Sequence, residues 1–174
     1  MVRIISGYHK GRQIKTNRNP QLRPTADRVK ETLFNILGDM NNLKVIDLFA
    51  GSGNLGLEAL SRGAASCIMV EKNYKQLILI RENVAKMDLA DRVEIRNMDV
   101  LKFLPESPDA DLILADPPYS FSRFDRLFDL LTVTYADARI VVEAGRDLKI
   151  PERLSEVVET HRSIGGTSLI IMKV

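Results

Sequence analysis

From residue 43 onward the chain alternates short apolar runs with segments of helical periodicity, and this alternation limits the possible folds more than any other feature. The runs that we interpret as strands are "KVIDLF", "SCIMVE", "RVEIRN", "ADLILAD" and "ARIVVEA". Helices are predicted between them, near residues 55–62, 74–87, 102–104 and 122–132. Strands that alternate with helices form βαβ units, which build a parallel sheet. The pattern therefore predicts an α/β fold.

The two ends of the chain depart from this alternation. Two more strands are predicted near residues 153–161 and 168–173 without a helix between them, and "GG" at residues 165–166 predicts a tight turn, so this pair should form an antiparallel hairpin. At the other end, "VRII" and "QI" flank a segment with Gly7 and Gly11, which favours a short hairpin. Thr25 is a plausible N-cap for a helix that continues to about Leu37.

The 174 residues are enough for one domain with a substantial core. No linker, internal repeat or low-complexity tract divides them. We therefore expect one domain over residues 1–174, with a hairpin extension at residues 1–22 and a catalytic core at residues 23–174.

Several classes of protein are disfavoured by composition. No apolar run approaches the roughly 18 residues of a membrane helix, and no secretory signal is recognisable at the N-terminus, so we expect a cytoplasmic protein without a membrane partner. Cys67 is the one cysteine, which excludes an internal disulfide. His9 and His161 are the two histidines, too few for a zinc site, and no metal is expected.

Positive charge is concentrated at the N-terminus. The first 30 residues contain eight Lys or Arg and one acid, whereas the remainder contains seventeen Lys or Arg and twenty-two acids. Such a patch could simply keep the chain soluble, but Tyr8 and His9 lie among the cations, and this mixture favours a polyanion such as nucleic acid. The residues predicted to contact it are Arg3, Lys10, Arg12 and Arg23.

The segment "DLFAGSGNLG" at residues 47–56 ends a predicted strand and begins a helix. Its three glycines match GxGxxG, a weak signal alone, in which glycine lets the backbone turn tightly beneath a ligand. Glu71 follows the next strand, where a carboxylate can accept both hydroxyls of a ribose. Asp47 would repel the pyrophosphate of a dinucleotide but would suit the ammonium and sulfonium of S-adenosylmethionine.

Asp99 follows the third strand of the alternating region. It could accept from the adenine amino group, with the N–H near Val100 donating to the ring, or it could be an ordinary helix N-cap, and the two roles can coexist. The complete predicted cofactor set is Asp47, Gly51, Ser52, Gly53, Glu71, Lys72, Asp99 and Val100.

The four residues "DPPY" at residues 116–119 end the fourth strand, where ligands of doubly wound sheets bind. The prolines remove two N–H donors, so the turn offers acceptors, the Asp116 carboxylate and the Pro117 carbonyl. Two converging acceptors can hold an NH₂ group and turn its lone pair toward a methyl donor, while Tyr119 offers a face for stacking. The catalytic prediction is Asp116, Pro117 and Tyr119, with Pro118 and Tyr119 also touching the substrate.

An exocyclic base amine becomes acidic once it is methylated, so an ordinary ionised carboxylate or water can take its proton. No large upward pKa shift of Asp116 is therefore expected. Because the amine must reach the methyl inside a cleft, the base must be unpaired or flipped out of its stack.

Together, "DLFAGSGNLGLEAL", "VEKN" and "DPPY" resemble the class I S-adenosylmethionine-dependent methyltransferases that act on amino nitrogens. "RPTADRVKETLFNIL" at residues 23–37 narrows the resemblance to the bacterial 16S ribosomal RNA guanine 2-amino methyltransferase D family. This resemblance covers nearly the whole chain and implies a Rossmann-like, mostly parallel seven-stranded sheet. It also implies S-adenosylmethionine as cofactor and a guanine of small-subunit rRNA as target, presented in an assembled or assembling 30S particle.

Four other functions stay open at this level. A DNA amino methyltransferase uses the same four-residue turn but usually carries an added recognition domain, for which this chain has no length. Protein glutamine methyltransferases resemble the chain but have Asn in place of Asp116. A non-catalytic RNA-binding module would not need both intact motifs, and a nicotinamide oxidoreductase would bind NAD instead.

Overall fold

The computed structural model describes residues 2–17, 23–106 and 108–173, and only the backbone of residues 23–26. Within these ranges the chain forms nine strands and five α-helices. In chain order they are β1 (Val2–Arg3), β2 (Gln13–Ile14), α1 (Arg23–Leu37), β3 (Lys44–Leu48), α2 (Asn54–Ser61), β4 (Ser66–Val70), α3 (Tyr74–Lys86), β5 (Val93–Arg96), α4 (Val100–Phe103), β6 (Leu112–Ala115), α5 (Phe124–Thr134), β7 (Arg139–Gly145), β8 (Val158–Ile164) and β9 (Thr167–Lys173).

Seven strands form one sheet in the order β5-β4-β3-β6-β7-β9-β8. The pairs from β5 to β7 are parallel, and β9 pairs antiparallel with both β7 and β8. The predicted α/β fold, with its mostly parallel seven-stranded sheet and C-terminal antiparallel hairpin, is confirmed. Since β3 lies between β4 and β6, the chain builds the sheet outward in both directions from β3, which makes the carboxyl end of β3 the switch point.

Helices cover both faces of this sheet, and adjacent strand residues point to opposite faces. On one face Val45 packs with α1, α2 and α3, as well as Ile4 and Ile14 of the N-terminal hairpin. On the other face Ile46 and Leu48 pack with α4 and α5. Asp47 therefore points to the face that α2 covers.

Several element boundaries differ from the sequence prediction. Helix α1 begins at Arg23, so Thr25 lies in its first turn and is not the N-cap. Pro24 fits there because the first turn of a helix does not use every N–H. Strand β8 begins at Val158, not near residue 153, because Pro151 leads into a 3₁₀ turn at Glu152–Leu154.

The N-terminal hairpin is held on the core by a buried carboxylate. Val2 pairs with Ile14 and Arg3 with Gln13, as the predicted short hairpin requires. Between the two strands the chain follows α2, where Glu58, with 0% of its surface exposed, accepts N–H groups from Ile5 and Ser6 at 2.8 and 3.1 Å.

Two cations balance the charge of Glu58. The Nζ of Lys30, whose side chain is 2% exposed, lies 3.1 Å from one carboxylate oxygen, and the Nε of Arg62 lies 2.8 Å from the other. Burial lowers the pKa of Lys30, and the carboxylate of Glu58 partly offsets that effect. The N-terminal segment is thus bonded to the sheet-covering helices and is not a loose tail.

In the described parts of the chain, no helix combines the length and apolar character needed to cross a bilayer.

Glu58→Gln should destabilise the fold strongly, because it leaves Lys30 buried without the carboxylate that pairs with it. Removing one partner of a buried ion pair typically costs about 3 to 5 kcal/mol. Urea unfolding followed by circular dichroism measures the loss, with the half-exposed Glu94→Gln as the matched control, expected to change stability by less than about 1 kcal/mol. Equal stabilities of the two variants would contradict this account.

Candidate active site at the carboxyl ends of the central strands

The carboxyl ends of three neighbouring strands bring the predicted motifs together. In the sheet, Leu48 of β3 lies opposite Val70 of β4 on one side and Ala115 of β6 on the other. The glycine loop, Glu71 and Asp116 follow these three strand ends directly. The backbone N–H of Asp116 donates to the carbonyl of Leu48 at 3.4 Å, so the DPPY turn begins beside the glycine loop.

The glycine loop at residues 49–53 is shaped by left-handed backbone conformations. Gly51 has φ 58° and Gly53 has φ 81°, both in the region that favours glycine. Apart from the chain neighbours of Gly51, a Cβ added there would meet, among the described residues, just the carbonyl oxygen of Phe49 within 4 Å, at 3.8 Å, so the space above this position is open to a ligand. Phe49 itself has φ 58°, an uncommon conformation for a bulky residue that marks local strain.

Glu71 joins the glycine loop to the end of β4. One of its carboxylate oxygens accepts the N–H of Gly51 at 2.9 Å, and the other accepts the N–H of Asn73 at 2.7 Å. A carboxylate has about four acceptor positions, so Glu71 keeps capacity for two further donors such as ribose hydroxyls.

Asp99 is the N-cap of α4, and its side chain accepts the N–H of Leu101 at 3.0 Å. The other carboxylate oxygen lies 3.3 Å from the Nη2 of Arg123 and 4.0 Å from the Nζ of Lys72. Lys72 and Asp99 of the predicted cofactor set therefore lie together, and Val100 begins the helix with its side chain buried. Arg123, from the segment after the DPPY turn, was not predicted.

Asp47 does not have the position that the sequence suggested. It is 1% exposed, and its Oδ2 accepts the N–H of Gly56 at 2.9 Å beneath the loop. A Cβ on Gly56 would lie 3.0 Å from that oxygen and 2.8 Å from the Sγ of Cys67, so only glycine permits this approach. The buried carboxylate supports the loop from below, and it is not exposed for direct contact with an ammonium group.

Burial also changes the protonation of this carboxyl group. Desolvation raises the pKa of Asp47 from 3.8 to about 7, and the negative charges of Asp116 and Glu71 act in the same direction. The hydrogen bond from Gly56 acts in the opposite direction. The full negative charge at neutral pH that the sequence suggested for this side chain is therefore reduced. The influence of Asp116 and Glu71 also indicates that the three carboxyl groups lie near one another.

The DPPY turn presents its aromatic residue to solvent. Asp116 is half-buried, Pro117 is buried and Pro118 is exposed, while Tyr119 has 93% of its surface exposed. The N–H of Phe121 donates to the carbonyl of Pro118 at 2.7 Å, which closes the turn. An exposed aromatic ring offers a face on which a base can stack.

A row of phenylalanines beside this turn was missed in the sequence. The ring of Phe121 contacts those of Phe49 and Phe124 edge-on, with centroids 5.1 Å apart in both cases, and Phe124 lies 6.3 Å from Phe128. The row ties the DPPY segment to the strained residue of the glycine loop. The repeated spacing "FSRFDRLF" after "DPPY" is a signal for the part of the row from Phe121 to Phe128, but not for its contact with Phe49.

The predicted nucleic-acid contacts lie at two separate places. The carbonyl of Arg3 accepts from Lys30, which also bonds Asn54 at the start of α2, beside the glycine loop. Lys10 lies near the other end of α2, because the neighbouring His9 donates its N–H to the Oγ of Ser61. Arg12 lies across the hairpin from Ile4, whose N–H donates to the Arg12 carbonyl at 2.9 Å, so Arg12 is close to Arg3. The eight residues of α2 span about 12 Å at 1.5 Å per residue. The side chain of Arg23 lies outside the described residues.

A cavity of about 410 Å³ lies at the opposite edge of the sheet. It is lined by residues at the end of α1, the start of β6 and β7 and the end of β9, including Leu37, Leu112, Arg139 and Lys173. Ligands of doubly wound sheets bind at the carboxyl ends of the strands, so this cavity is not assigned to the site.

The arrangement agrees with the comparisons to known proteins. A family described as conserved hypothetical protein 95 matches residues 2–173. YlbH of Bacillus subtilis is 34% identical, and the alignment covers 99% of this chain and 98% of that protein. The ribosomal RNA small subunit methyltransferase D of Haemophilus influenzae is 35% identical over 84% of this chain and 80% of that protein. The chain belongs to the ribosomal RNA small subunit methyltransferase D family.

Among solved structures, yhhF of Escherichia coli is 30% identical and has a TM-score of 0.83, with 99% of this chain and 98% of that chain covered. The family and the Rossmann-like class I methyltransferase fold predicted from the sequence are confirmed. Membership in a methyltransferase family also supports S-adenosylmethionine as the cofactor.

Asp47→Asn should remove a specific pH dependence of stability. Between 3.8 and about 7 the folded protein retains a proton on Asp47 that the unfolded chain releases, so stability falls as pH rises through this range. The wild type should therefore lose about 2 to 3 kcal/mol relative to the variant between pH 5 and pH 8. Urea unfolding of both proteins at the two pH values measures this difference, and a constant difference would contradict the burial effect.

Proposed function

We propose that this protein transfers a methyl group from S-adenosylmethionine to the exocyclic 2-amino group of a guanine in small-subunit ribosomal RNA. One observation carries the proposal: the acidic DPPY turn begins beside a glycine loop whose Gly51 N–H is bonded by Glu71. The relatives named ribosomal RNA small subunit methyltransferase D support rRNA as the substrate class.

The residues at the strand ends fit this cofactor. The open space above Gly51 leaves room for a ligand against the loop, and Glu71 and Asp99 supply acceptors for ribose hydroxyls and an adenine amino group. Gly51, Ser52, Gly53, Glu71, Lys72, Asp99 and Val100 would hold the cofactor, with Asp47 acting from below the loop. When bound, S-adenosylmethionine supplies an electrophilic methyl group on a positively charged sulfur.

The chain's own contribution to the chemistry is orientation. The carboxylate of Asp116 and the carbonyl of Pro117 would accept the two hydrogens of the amine, which turns its lone pair away from the ring and toward the methyl group. The methylated nitrogen is a strong acid, so Asp116 or water can take the released proton. Asp116 therefore needs no unusual basicity.

The exposed ring of Tyr119 suits an unpaired target. A guanine inside a duplex cannot bring its 2-amino group to the site at the carboxyl ends of the β-strands. It would have to be splayed out of the duplex and stacked on Tyr119. Stacking of a base on an aromatic side chain contributes about 1 to 3 kcal/mol, which helps to offset the unstacking.

The spacing of the basic residues suggests a substrate larger than the target nucleotide. The backbone of Arg3, with Arg12 across the hairpin from it, lies near the start of α2, whereas Lys10 lies near the other end, about 12 Å away along the helix. RNA that contacts both places must extend along this face of the enzyme. We therefore favour a structured rRNA, in an assembled or assembling 30S particle, over a short single strand.

Methyl transfer with a tritiated donor tests the proposal. Small ribosomal subunits and naked 16S rRNA, both from cells that lack this enzyme, are incubated with the protein, and the labelled nucleoside is identified by chromatography. We expect 2-methylguanosine. Asp116→Ala should reduce the transfer by about 100-fold or more, while the affinity for S-adenosylhomocysteine stays within about twofold.

The exposed Asp109→Ala, at the opposite edge of the sheet, is the matched control and should behave as wild type. Three results would each contradict the proposal. They are label on adenine or cytosine, label accepted by DNA but not by RNA, and an equal loss of transfer and cofactor affinity in Asp116→Ala.

Neutralising Arg3, Lys10 and Arg12 together should weaken RNA binding and flatten its salt dependence. Each phosphate contact contributes about 0.7 to 0.9 to the slope of log affinity against log salt, so the slope should fall by about 2 to 3. Filter binding from 50 to 200 mM salt measures it. Neutralising Lys44, Arg139 and Lys173 is the control, since Lys44 and Arg139 begin the parallel strands β3 and β7 and Lys173 pairs with Arg139, all at the opposite edge of the sheet. A slope equal to wild type would mean that the basic hairpin serves only solubility.

A further inference from the structure

Asn83 of α3 is fully buried, yet it belongs to none of the motifs described above. Its side-chain amide makes three hydrogen bonds. The Oδ1 accepts the N–H of Lys15 at 2.9 Å, and the Nδ2 donates to the carbonyls of Lys15 and Ser52 at 3.0 and 2.9 Å. Both donors of the amide are therefore used, on two segments that are remote in sequence.

These two segments belong to the two binding regions of the proposed enzyme. Lys15 directly follows β2, the second strand of the basic hairpin, and Ser52 lies between the two glycines of the cofactor loop. The peptide group that joins Ser52 to Gly53 is fixed at both ends, since its carbonyl bonds Asn83 and its N–H bonds the carbonyl of Ala50 at 2.7 Å. Asn83 thus determines how this peptide of the loop is oriented.

The first strand of the hairpin is tied to the same loop in a similar way. The buried Lys30 of α1 donates to the carbonyl of Arg3 and to the side chain of Asn54, both at 2.8 Å, and Asn54 directly follows Gly53. Each hairpin strand is therefore joined to the loop region by one buried polar side chain of a helix. A displacement of the hairpin would therefore disturb the glycine loop through both side chains, Asn83 and Lys30.

We propose that Asn83 is a positioning residue that couples RNA binding at the N-terminal hairpin to cofactor binding at the glycine loop. The inference rests on the proposed function, because it requires the hairpin to bind RNA. RNA that fixes the hairpin also fixes Lys15, and through the Asn83 amide it fixes the Ser52 carbonyl. The glycine loop therefore loses less conformational freedom when the cofactor binds. By linkage, bound cofactor strengthens RNA binding by the same factor.

A residue that only stabilises the fold would not produce this coupling. Loss of a purely structural hydrogen bond lowers the unfolding free energy and leaves the effect of RNA on cofactor affinity unchanged. The ratio of cofactor affinities with and without RNA therefore separates the two roles.

Equilibrium dialysis with tritiated S-adenosylhomocysteine measures that ratio in the full chain, with and without small ribosomal subunits from cells that lack the enzyme. In the wild type the subunits should lower the dissociation constant by at least about fivefold, a typical coupling. In Asn83→Ala the ratio should fall below about twofold. Should that variant fail to fold, Asn83→Ser, which keeps a short hydroxyl, takes its place in the same measurement.

Glu82→Gln is the matched control. Glu82 neighbours Asn83 on α3 and pairs with the Lys15 side chain at 3.0 Å. In the described part of the chain it makes no hydrogen bond to the glycine loop, so the coupling should match wild type. An undiminished ratio in the Asn83 variants, or no coupling in a wild-type enzyme that methylates the subunits, overturns the inference. A wild type that neither binds nor methylates the subunits overturns the proposed function as well.

Discussion

The parallel register of β3 with β4 and β6 is the constraint on which the site depends. Leu48, Val70 and Ala115 are aligned across the three strands, so the residues that follow them emerge at one edge. The glycine loop, Glu71 and Asp116 come from three distant parts of the chain. Each reaches this edge of the sheet because the strand before it ends there. A shift of one residue in β6 would turn Ala115 and Asp116 to the opposite faces of the sheet.

Two buried carboxyl groups, Asp47 and Glu58, lie on the same face of this sheet and are accommodated differently. Glu58 has Lys30 and Arg62 as counter-ions, with two backbone N–H groups from the hairpin. Asp47 accepts one N–H, from Gly56, and has acidic neighbours, so burial raises its pKa to about 7. Glu58, paired with these cations, fastens the hairpin, whereas the raised pKa of Asp47 brings that carboxyl group close to neutralisation, and it supports the loop.

The sequence predicted the sheet and the motifs well because both depend on local patterns. Alternating apolar runs and helices require a parallel sheet, and "DPPY" and the glycine loop fall at strand ends whatever the packing of the helices. Side-chain direction was harder to predict. Asp47 lies one residue from Leu48, yet only the tight approach of Gly56 to its carboxylate reveals that it supports the loop from below.

The interactions that the sequence could not reveal all join distant segments. Phe121 contacts Phe49, Arg123 pairs with Asp99, and Asn83 connects Lys15 with Ser52. None of these pairs follows from spacing, because each depends on how a helix or turn is placed over the sheet. Helix boundaries differ for a related reason, since a proline such as Pro24 can either precede a helix or occupy its first turn.

These long-range contacts join the glycine loop to the DPPY turn and to the N-terminal hairpin. Among the described residues, four hold the glycine loop: Glu71 at the end of β4, Asp47 below, Phe121 from the DPPY segment and Asn83 from α3. Two of these supports lead to the regions that we propose to bind the substrate, Phe121 to the DPPY turn and Asn83 to the basic hairpin. Displacement of either region would disturb a contact of this loop, and the packing of Phe121 on Phe49 helps to hold that residue in its strained conformation.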